Sequence, residues 1–496
     1  VGHLRNAVLG DTTVRLARLA GHVVEVQNYI DDTGRQAAEA MYALERYREQ
    51  PGDEKHDHFV GRLYVRVNAE LTADGAGEPG GLDANPDPAE IQRGVDQVLH
   101  RMEEGVYRDS IESVVRAQLQ TAARLGITYD LLVWESDILR AHLLDEALEV
   151  LERSPRVFVP EEGEYSGALV IALAGKDDGE TAQDQTYRVL VRSNGIPTYT
   201  GKDVAYMMWK FGLLSKTLSC CTWEERRDGS TVRTTCPLGD PCPRTHPDRV
   251  INVVAEHQGL QQQTVIQSLE AAGFNTEARH AFHLSYGMVR QQEGRISGRR
   301  GLGSSADEVL DEAVGVARER LEEKRVDIPP DERKAIAEAI AVGAIRYLMV
   351  QQGPVKPIVF DIRDVVSFEG NTGLYLQYAL VRIRAILRRA EEVAADADRE
   401  AAAGTGVLTH PAERALVLRL SRLPQAVEDT LRTLAINLIA DYANGLAGDF
   451  SQFYRDCPVI SAGEPLRSAR LRLVSCTEIV LSNAMRIMGI PLVDRM

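Results

Sequence analysis

The sequence predicts an α/β protein with a mostly parallel sheet and helical inserts, followed by an all-α helical bundle. Three observations carry this. Short apolar, β-branched runs alternate with helical stretches up to about residue 290, the pattern of strand–helix units. Beyond about residue 330 only helical patterns remain, broken by Pro354, Pro357 and the low-complexity stretch 396–406 (DADREAAAGTG), a mobile loop. The length, 496 residues, asks for about three domains and supplies material for more than one core.

Each element has its own signal. Leu4, Val8, Val14 and Leu19 recur near a helical period, and Gly21 is a stop. Residues 22–30 (HVVEVQNYI) read as a strand, and 33–50 as a charged helix. Residues 71–88 are rich in Gly, Pro and Asp and read as an exposed loop. A helical region, 89–125, ends at Gly126; 129–134 (YDLLVW) is a short apolar strand and 136–152 a helix. Residues 167–172 (GALVIA) and 187–192 (YRVLVR) read as buried strands, the second closed by the turn Ser193-Asn194-Gly195. A helix at 203–211, a strand at 249–255 (RVINVVA) and a helix at 261–272 follow. The C-terminal helices are expected at 332–351, 374–394, 411–422, 424–449 and 466–488.

Composition narrows the function classes. With 44% hydrophobic and 26% charged residues the chain is ordinary globular material. No run approaches a membrane span and the start is no signal peptide, so no membrane partner and a cytoplasmic location are expected. A net charge of −16 argues against a protein that coats nucleic acid nonspecifically, but leaves room for a local basic surface. Six scattered cysteines do not suggest a disulfide framework. Cys220, Cys221, Cys236, Cys242 and His246 share one turn-rich stretch, and zinc at Cys220, Cys236, Cys242 and His246 is the obvious alternative. Neither Cys-x-x-Cys nor another standard ligand spacing appears, so free thiols are favoured and no metal site is expected.

Two segments point to phosphate chemistry. Gly2 and His3 sit at a helix start, where free backbone N–H groups and an imidazole suit an anion. Residues 293–305 (EGRISGRRGLGSS) place Arg295, Arg299 and Arg300 among glycines, a loop that can wrap a polyphosphate and neutralise charge on a leaving group. A Gly-His helix start at one end of an α/β fold and an Arg-Gly-Ser loop at the other is the layout of a nucleotidyl-transfer site.

With these segments in view the chain resembles the class I aminoacyl-tRNA synthetases, specifically the arginyl family. Residues 1–11 (VGHLRNAVLGD) resemble the second half of the His-x-Gly-His signature, 28–36 (NYIDDTGRQ) the segment after it, and 199–206 (YTGKDVAY) the arginine-pocket helix. Residues 369–384 (EGNTGLYLQYALVRIR) resemble the start of the anticodon-binding domain, and the ending MGIPLVDRM the family's C-terminus. The resemblance implies a Rossmann-like catalytic domain over 1–345, with an insert at about 214–248 and the signature loop at 293–305, and a helical anticodon-binding domain over 346–496. It implies that His3 contacts the ATP phosphates and steadies adenylation, with Gly2, His257, Gly259 and Arg295 also at ATP. Ser297, Arg299 and Arg300 would serve catalysis from the loop. Tyr199 and Asp203, four apart on one helix face, would hold the arginine side chain, and Gln258 would orient it. Arg382 and Arg384 would meet tRNA phosphates, and Tyr454 would either stack on an anticodon base or serve as a core tyrosine.

The departures are equally specific. Where the family usually carries Lys-Met-Ser-Lys, this chain has Arg295, Ile296, Ser297 and Gly298, with Arg299 and Arg300 as substitutes, similar to a bacterial subgroup with a Ser-Gly-Arg-Lys-type loop. The first signature histidine, the Asn-Pro-Thr segment and the tRNA-elbow domain are absent from this sequence, which reads as N-terminally truncated. The implied activity is an arginine–tRNA ligase, monomeric, with ATP, Mg²⁺, L-arginine and tRNA(Arg) as partners, and adenylation that awaits bound tRNA. Two rivals stay open: a paralogue activating arginine for another purpose, and a non-catalytic tRNA-binding relative.

Overall fold

The structure, a computed structural model, describes residues 2–72, 88–103, 105–173, 187–291, 305–324, 328–367, 370–394 and 405–496. The loops expected at 71–88 and 396–406, and residues 293–304 of the signature loop, lie largely or wholly outside these.

The chain opens with α1 (Gly2–Leu19) and β1 (Gln27–Ile30), then a helical insert: α2 (Arg35–Tyr47), α3 (His56–Thr72), α4 (Pro88–Glu103) and α5 (Arg108–Arg124). Next come β2 (Leu131–Trp134), α6 (Glu135–Arg140), α7 (Leu143–Leu151), β3 (Val157–Phe158), β4 (Leu169–Ala172), β5 (Tyr187–Val191) and α8 (Tyr199–Lys210). Strands β6 (Ser219–Glu225), β7 (Thr231–Thr235) and β8 (Asp240–Pro241) precede β9 (Val250–Ala255), α9 (Gly259–Ala271), α10 (Asn275–His280), β10 (Ala281–Tyr286) and β11 (Val289–Gln291). The remainder is helical apart from β12 (Ile358–Phe360): α11 (Ala306–Lys324), α12 (Pro330–Val350), α13 (Ile362–Val365), α14 (Gly373–Ala394), α15 (Pro411–Leu420), α16 (Leu423–Thr433), α17 (Asn437–Asp456) and α18 (Leu466–Ile487).

Parallel pairing dominates, as βα alternation requires. β1 runs parallel to β2, β9 to β10 and β11 to β12. Among the described residues β1, β2 and β7 run parallel in one five-stranded sheet completed by antiparallel β6 and β8, the other two parallel pairs stand apart from it, and residues of β1 and β9 line one cleft. α1 lies along β9, where Asn6 Nδ2 donates to the Val253 carbonyl at 2.5 Å.

Three apolar cores divide the molecule. One joins α1, α11 and α12 to the C-terminal helices, so the first helix packs with the last third of the chain. A second lies under α7, α8 and α9, and a third sits between the helical insert and the β1–β2 pair.

Several expectations are corrected. The strand at 22–30 shortens to β1, because residues 22–26 lie outside the ladder. The strands at 167–172 and 187–192 do not join the parallel sheet; β3, β4 and β5 form their own antiparallel sheet. The helix at 424–449 is two helices, α16 and α17, because Leu434 takes a left-handed conformation with φ 54°. α3 and α11 were not anticipated.

The cysteine reading is corrected too. Cys220 pairs with Cys242 and Cys221 with Cys236. Adjacent strand residues point to opposite faces. Cys220 therefore joins the buried Cys242 in the α7–α9 core, while Cys221 turns outward to Cys236. With these thiols paired, the zinc alternative at Cys220, Cys236, Cys242 and His246, which the sequence did not favour, loses its thiolate ligands. The free thiols are Cys457 and Cys476 instead.

Candidate active site

Residues 192–198 connect β5 to α8, and Thr198, whose N–H donates to the Leu190 carbonyl at 2.9 Å, caps the helix beside the strand end. Its Oγ1 accepts from the Gly201 N–H at 3.3 Å, satisfying an open donor of the first turn. Capping there sets the helix phase, which aims Tyr199, Asp203, Tyr206 and Lys210 into one cleft of about 2160 Å³. Beside α8 the lining continues through the turn at the carboxyl end of β9 and the start of α9, which supply Gln258 and Gln261. Ligands in open α/β sheets bind at this edge of the strands.

Asp203 accepts from Gln261 Nε2 at 2.8 Å. Burial pushes its carboxyl up to about 6, while Lys210 and Gln261 pull the other way. Lys210 is itself pushed down to about 8 by burial; its ammonium donates to Asn252 Oδ1 at 2.9 Å and lies 4.0 Å from the Tyr206 ring centre. Tyr199 is 51% exposed, so part of its ring faces the cleft, where an aromatic face can meet a planar cation.

A second carboxylate stands behind this pair. Glu135 directly follows β2 and is 0% exposed. It accepts from the Tyr29 hydroxyl at 2.5 Å, from Thr33 and from Lys202, the residue before Asp203. Lys202 also lies 5.4 Å from the Tyr199 ring centre. Sequence reading missed Glu135, Tyr29 and Lys202. The available signal was a lone Glu at the carboxyl end of an apolar strand.

The structure brings Tyr199, Asp203 and Gln258 together along this cleft. His257 and Gln258 are exposed in the short 3₁₀ turn after β9, and Gly259 opens α9. Gly2 and His3 begin α1, and His3 is exposed; the next turns, through Asn6, Ala7 and Gly10, line the cleft. Arg295, Ser297, Arg299 and Arg300 lie outside the described residues.

In the helical domain Arg382 and Tyr454 meet on one surface. The Arg382 guanidinium carbon is 4.9 Å from the Tyr454 ring centre and 4.7 Å from that of Tyr378, and Nη2 donates to the Tyr378 hydroxyl at 2.6 Å. Tyr454 is 43% exposed. Arg384 is held differently, by Glu478 at 2.9 Å and Asp494 at 2.6 Å.

A parallel α/β body with its cleft at the strand ends, a Gly-His helix start beside it and a helical C-terminal domain define a class I aminoacyl-tRNA synthetase. The model of class I (R) tRNA synthetase catalytic domains matches residues 1–214 and 214–362, and that of the DALR anticodon-binding domain matches 376–496. The arginine–tRNA ligase of Pyrococcus furiosus is 38% identical over 517 residues, covering 100% of this chain and 78% of the relative. That of a Thermus thermophilus strain is 40% identical over 500 residues, covering 99% and 79%. The solved Thermus thermophilus arginyl-tRNA synthetase superposes with a TM-score of 0.87 at 38% identity, over 100% of this chain and 80% of that one. The chain belongs to the arginyl-tRNA synthetase family.

Proposed function

We propose that the α8–β9 cleft binds L-arginine for activation by ATP, followed by transfer of the arginyl group to the terminal ribose of tRNA(Arg). The observation that carries this is the convergence of Tyr199, Asp203 and Gln258 on one cleft. A carboxylate beside an aromatic face is the complement of a guanidinium, which pairs as a planar fork and stacks. Buried Glu135, held by Tyr29 and Lys202, adds negative potential behind Asp203.

In this reading the arginine carboxylate attacks the α-phosphorus of ATP in line, its bond forms as the bond to pyrophosphate breaks, and no general base is required. The enzyme supplies placement and charge stabilisation. His3 and the first turn of α1 face the phosphates, His257 and Gly259 the nucleoside. Arg295, Arg299 and Arg300, with Ser297, neutralise the departing pyrophosphate. Arg382 and Tyr454 offer a cation and a stacking ring to tRNA, and Arg384 lies on the same helix.

Mg²⁺ is proposed to arrive with the ATP phosphates. The grouping Asp57, His58 and Asp307 is spaced for an ion, but Lys55 Nζ already lies 2.8 Å from Asp307 and 3.1 Å from Asp57, so we place none there. A cytoplasmic monomer completes the reading, as does a catalytic unit over 1–345 whose boundary falls within α12. No helix among the described residues is long and apolar enough to cross a membrane.

ATP–pyrophosphate exchange with arginine, run with and without tRNA(Arg), tests the proposal. Arginine-dependent exchange together with tRNA charging supports it. Exchange without charging would favour a paralogue, and tRNA binding with neither activity a non-catalytic relative.

A further inference from the structure

Arg5 lies two residues after His3 and is 0% exposed. Burial pushes its guanidinium down to about 10, and the titratable group acting against that is the Tyr286 phenol, not a carboxylate. Its Nη1 donates to the carbonyl oxygens of Gly287 (2.9 Å) and Lys356 (2.6 Å), and Nη2 to that of Gly353 (3.2 Å). Nε has no partner among the described residues.

These carbonyls belong to two other segments. Gly287 lies between β10 and β11, and β11 leads into the stretch that carries Arg295, Ser297, Arg299 and Arg300. Gly353 and Lys356 form the turn between α12 and β12, on the way to the helical domain. The segments are already knit together: the Gly287 N–H donates to the Pro354 carbonyl at 2.9 Å and the Ile358 N–H to that of Met288 at 2.9 Å. A side chain at Gly287 would collide with the Val355 carbonyl.

Among the described residues no carboxylate pairs with Arg5, and a buried cation without a counter-ion is a costly way to fill space. An apolar side chain could occupy the volume without the desolvation cost. What the guanidinium fork supplies is a fixed geometry among three backbone segments.

We propose that Arg5 is a positioning residue for adenylate formation: by tying the start of α1 to the Gly287 and Gly353–Lys356 turns, it fixes the helix that carries His3 against β11, the strand that precedes the signature loop in the chain. The proposal rests on the reading that His3 and that loop face the ATP phosphates. Arg5 touches no reactant. Its loss misaligns the phosphate-binding elements while Tyr199 and Asp203, on α8, keep their arginine site.

The test uses the full chain with Arg5→Met and Arg5→Lys, measuring ATP–pyrophosphate exchange with tRNA(Arg) present, arginine affinity by equilibrium dialysis, and thermal unfolding. Arg5→Met is expected to lose about a hundredfold in kcat, the scale of a misplacement of about 1 Å, with arginine affinity unchanged. Arg5→Lys keeps the charge and one donor direction, and is expected to recover part of kcat. An unchanged kcat in folded Arg5→Met overturns the proposal. So does a loss of kcat matched by losses of arginine affinity and melting temperature, which marks a structural role. If Arg5→Met does not fold, Arg5→Lys decides, and wild-type kcat there overturns it. His3→Ala separates the two readings. Exchange that survives His3→Ala removes the underlying assignment; exchange lost in His3→Ala but intact in Arg5→Met removes this proposal alone.

Discussion

The carboxylate of Asp11 and the guanidinium of Arg346 form a buried ion pair that fastens α1 to α12. Arg346 is 0% exposed and also donates to the carbonyls of Leu125 (2.8 Å) and Met488 (2.7 Å), so one side chain joins the first helix, the end of the helical insert and the end of α18. Gly489 stands where any side chain would strike that guanidinium.

Breaking a buried pair costs most when it strands a charge. The two sides of this pair are unequal. Without Arg346, Asp11 keeps Arg15, whose Nε is 2.6 Å away. Without Asp11, Arg346 retains only carbonyl partners. Asp11→Leu is therefore expected to destabilise by about 3–5 kcal/mol and Arg346→Met by less. Denaturant unfolding of both variants checks the order, and equal losses would show that Arg15 does not compensate.

The pocket should have an acid limb. Burial raises the Asp203 carboxyl to about 6, so it gains a proton as pH falls through that value and its pairing with a guanidinium is lost. The KM for arginine is expected to rise below about pH 6 while the KM for ATP does not follow. In Asp203→Asn arginine binding should be weak and flat with pH. Steady-state kinetics between pH 5 and 8, about the span of one titration on each side, reads this directly.

Much of this was legible in the sequence, and the reasons for the rest are physical. The α8 motif, the strand at 249–255 and the C-terminal helices follow from periodicity and from local resemblance. The break at Leu434 carries no Gly or Pro to announce it; a left-handed leucine is dictated by packing, not by propensity. The β4–β5 pair looks like buried parallel strands because apolar runs do not encode pairing direction. Glu135 escaped notice because a single carboxylate has no spacing pattern until β1 and α8 close on it.

The cysteine pairing was illegible for a similar reason, since it depends on strand faces rather than intervals. A non-reducing peptide map is expected to link Cys220 to Cys242 and Cys221 to Cys236, with no stoichiometric zinc by metal analysis. Crossed links would contradict the placement of the two neighbours on opposite faces of β6.

On the helical domain, Arg382→Ala and Tyr454→Ala are expected to weaken tRNA binding by different routes. Removing the Arg382 cation should reduce the salt slope by about 1, whereas removing the Tyr454 ring should lower affinity and leave the slope in place. Filter binding across a salt series separates them. An unchanged affinity in both would place the tRNA surface elsewhere.

Everything proposed for the cleft depends on Asp203 receiving the arginine side chain. Arginine binding by equilibrium dialysis and tRNA(Arg) charging, compared between the wild-type chain and Asp203→Ala, bear on this without intermediary. Asp203→Ala is expected to lose about a hundredfold or more in arginine affinity, the scale of a broken desolvated charge pair, with charging abolished and ATP and tRNA binding retained. Charging by Asp203→Ala at the wild-type rate and arginine KM would contradict the assignment.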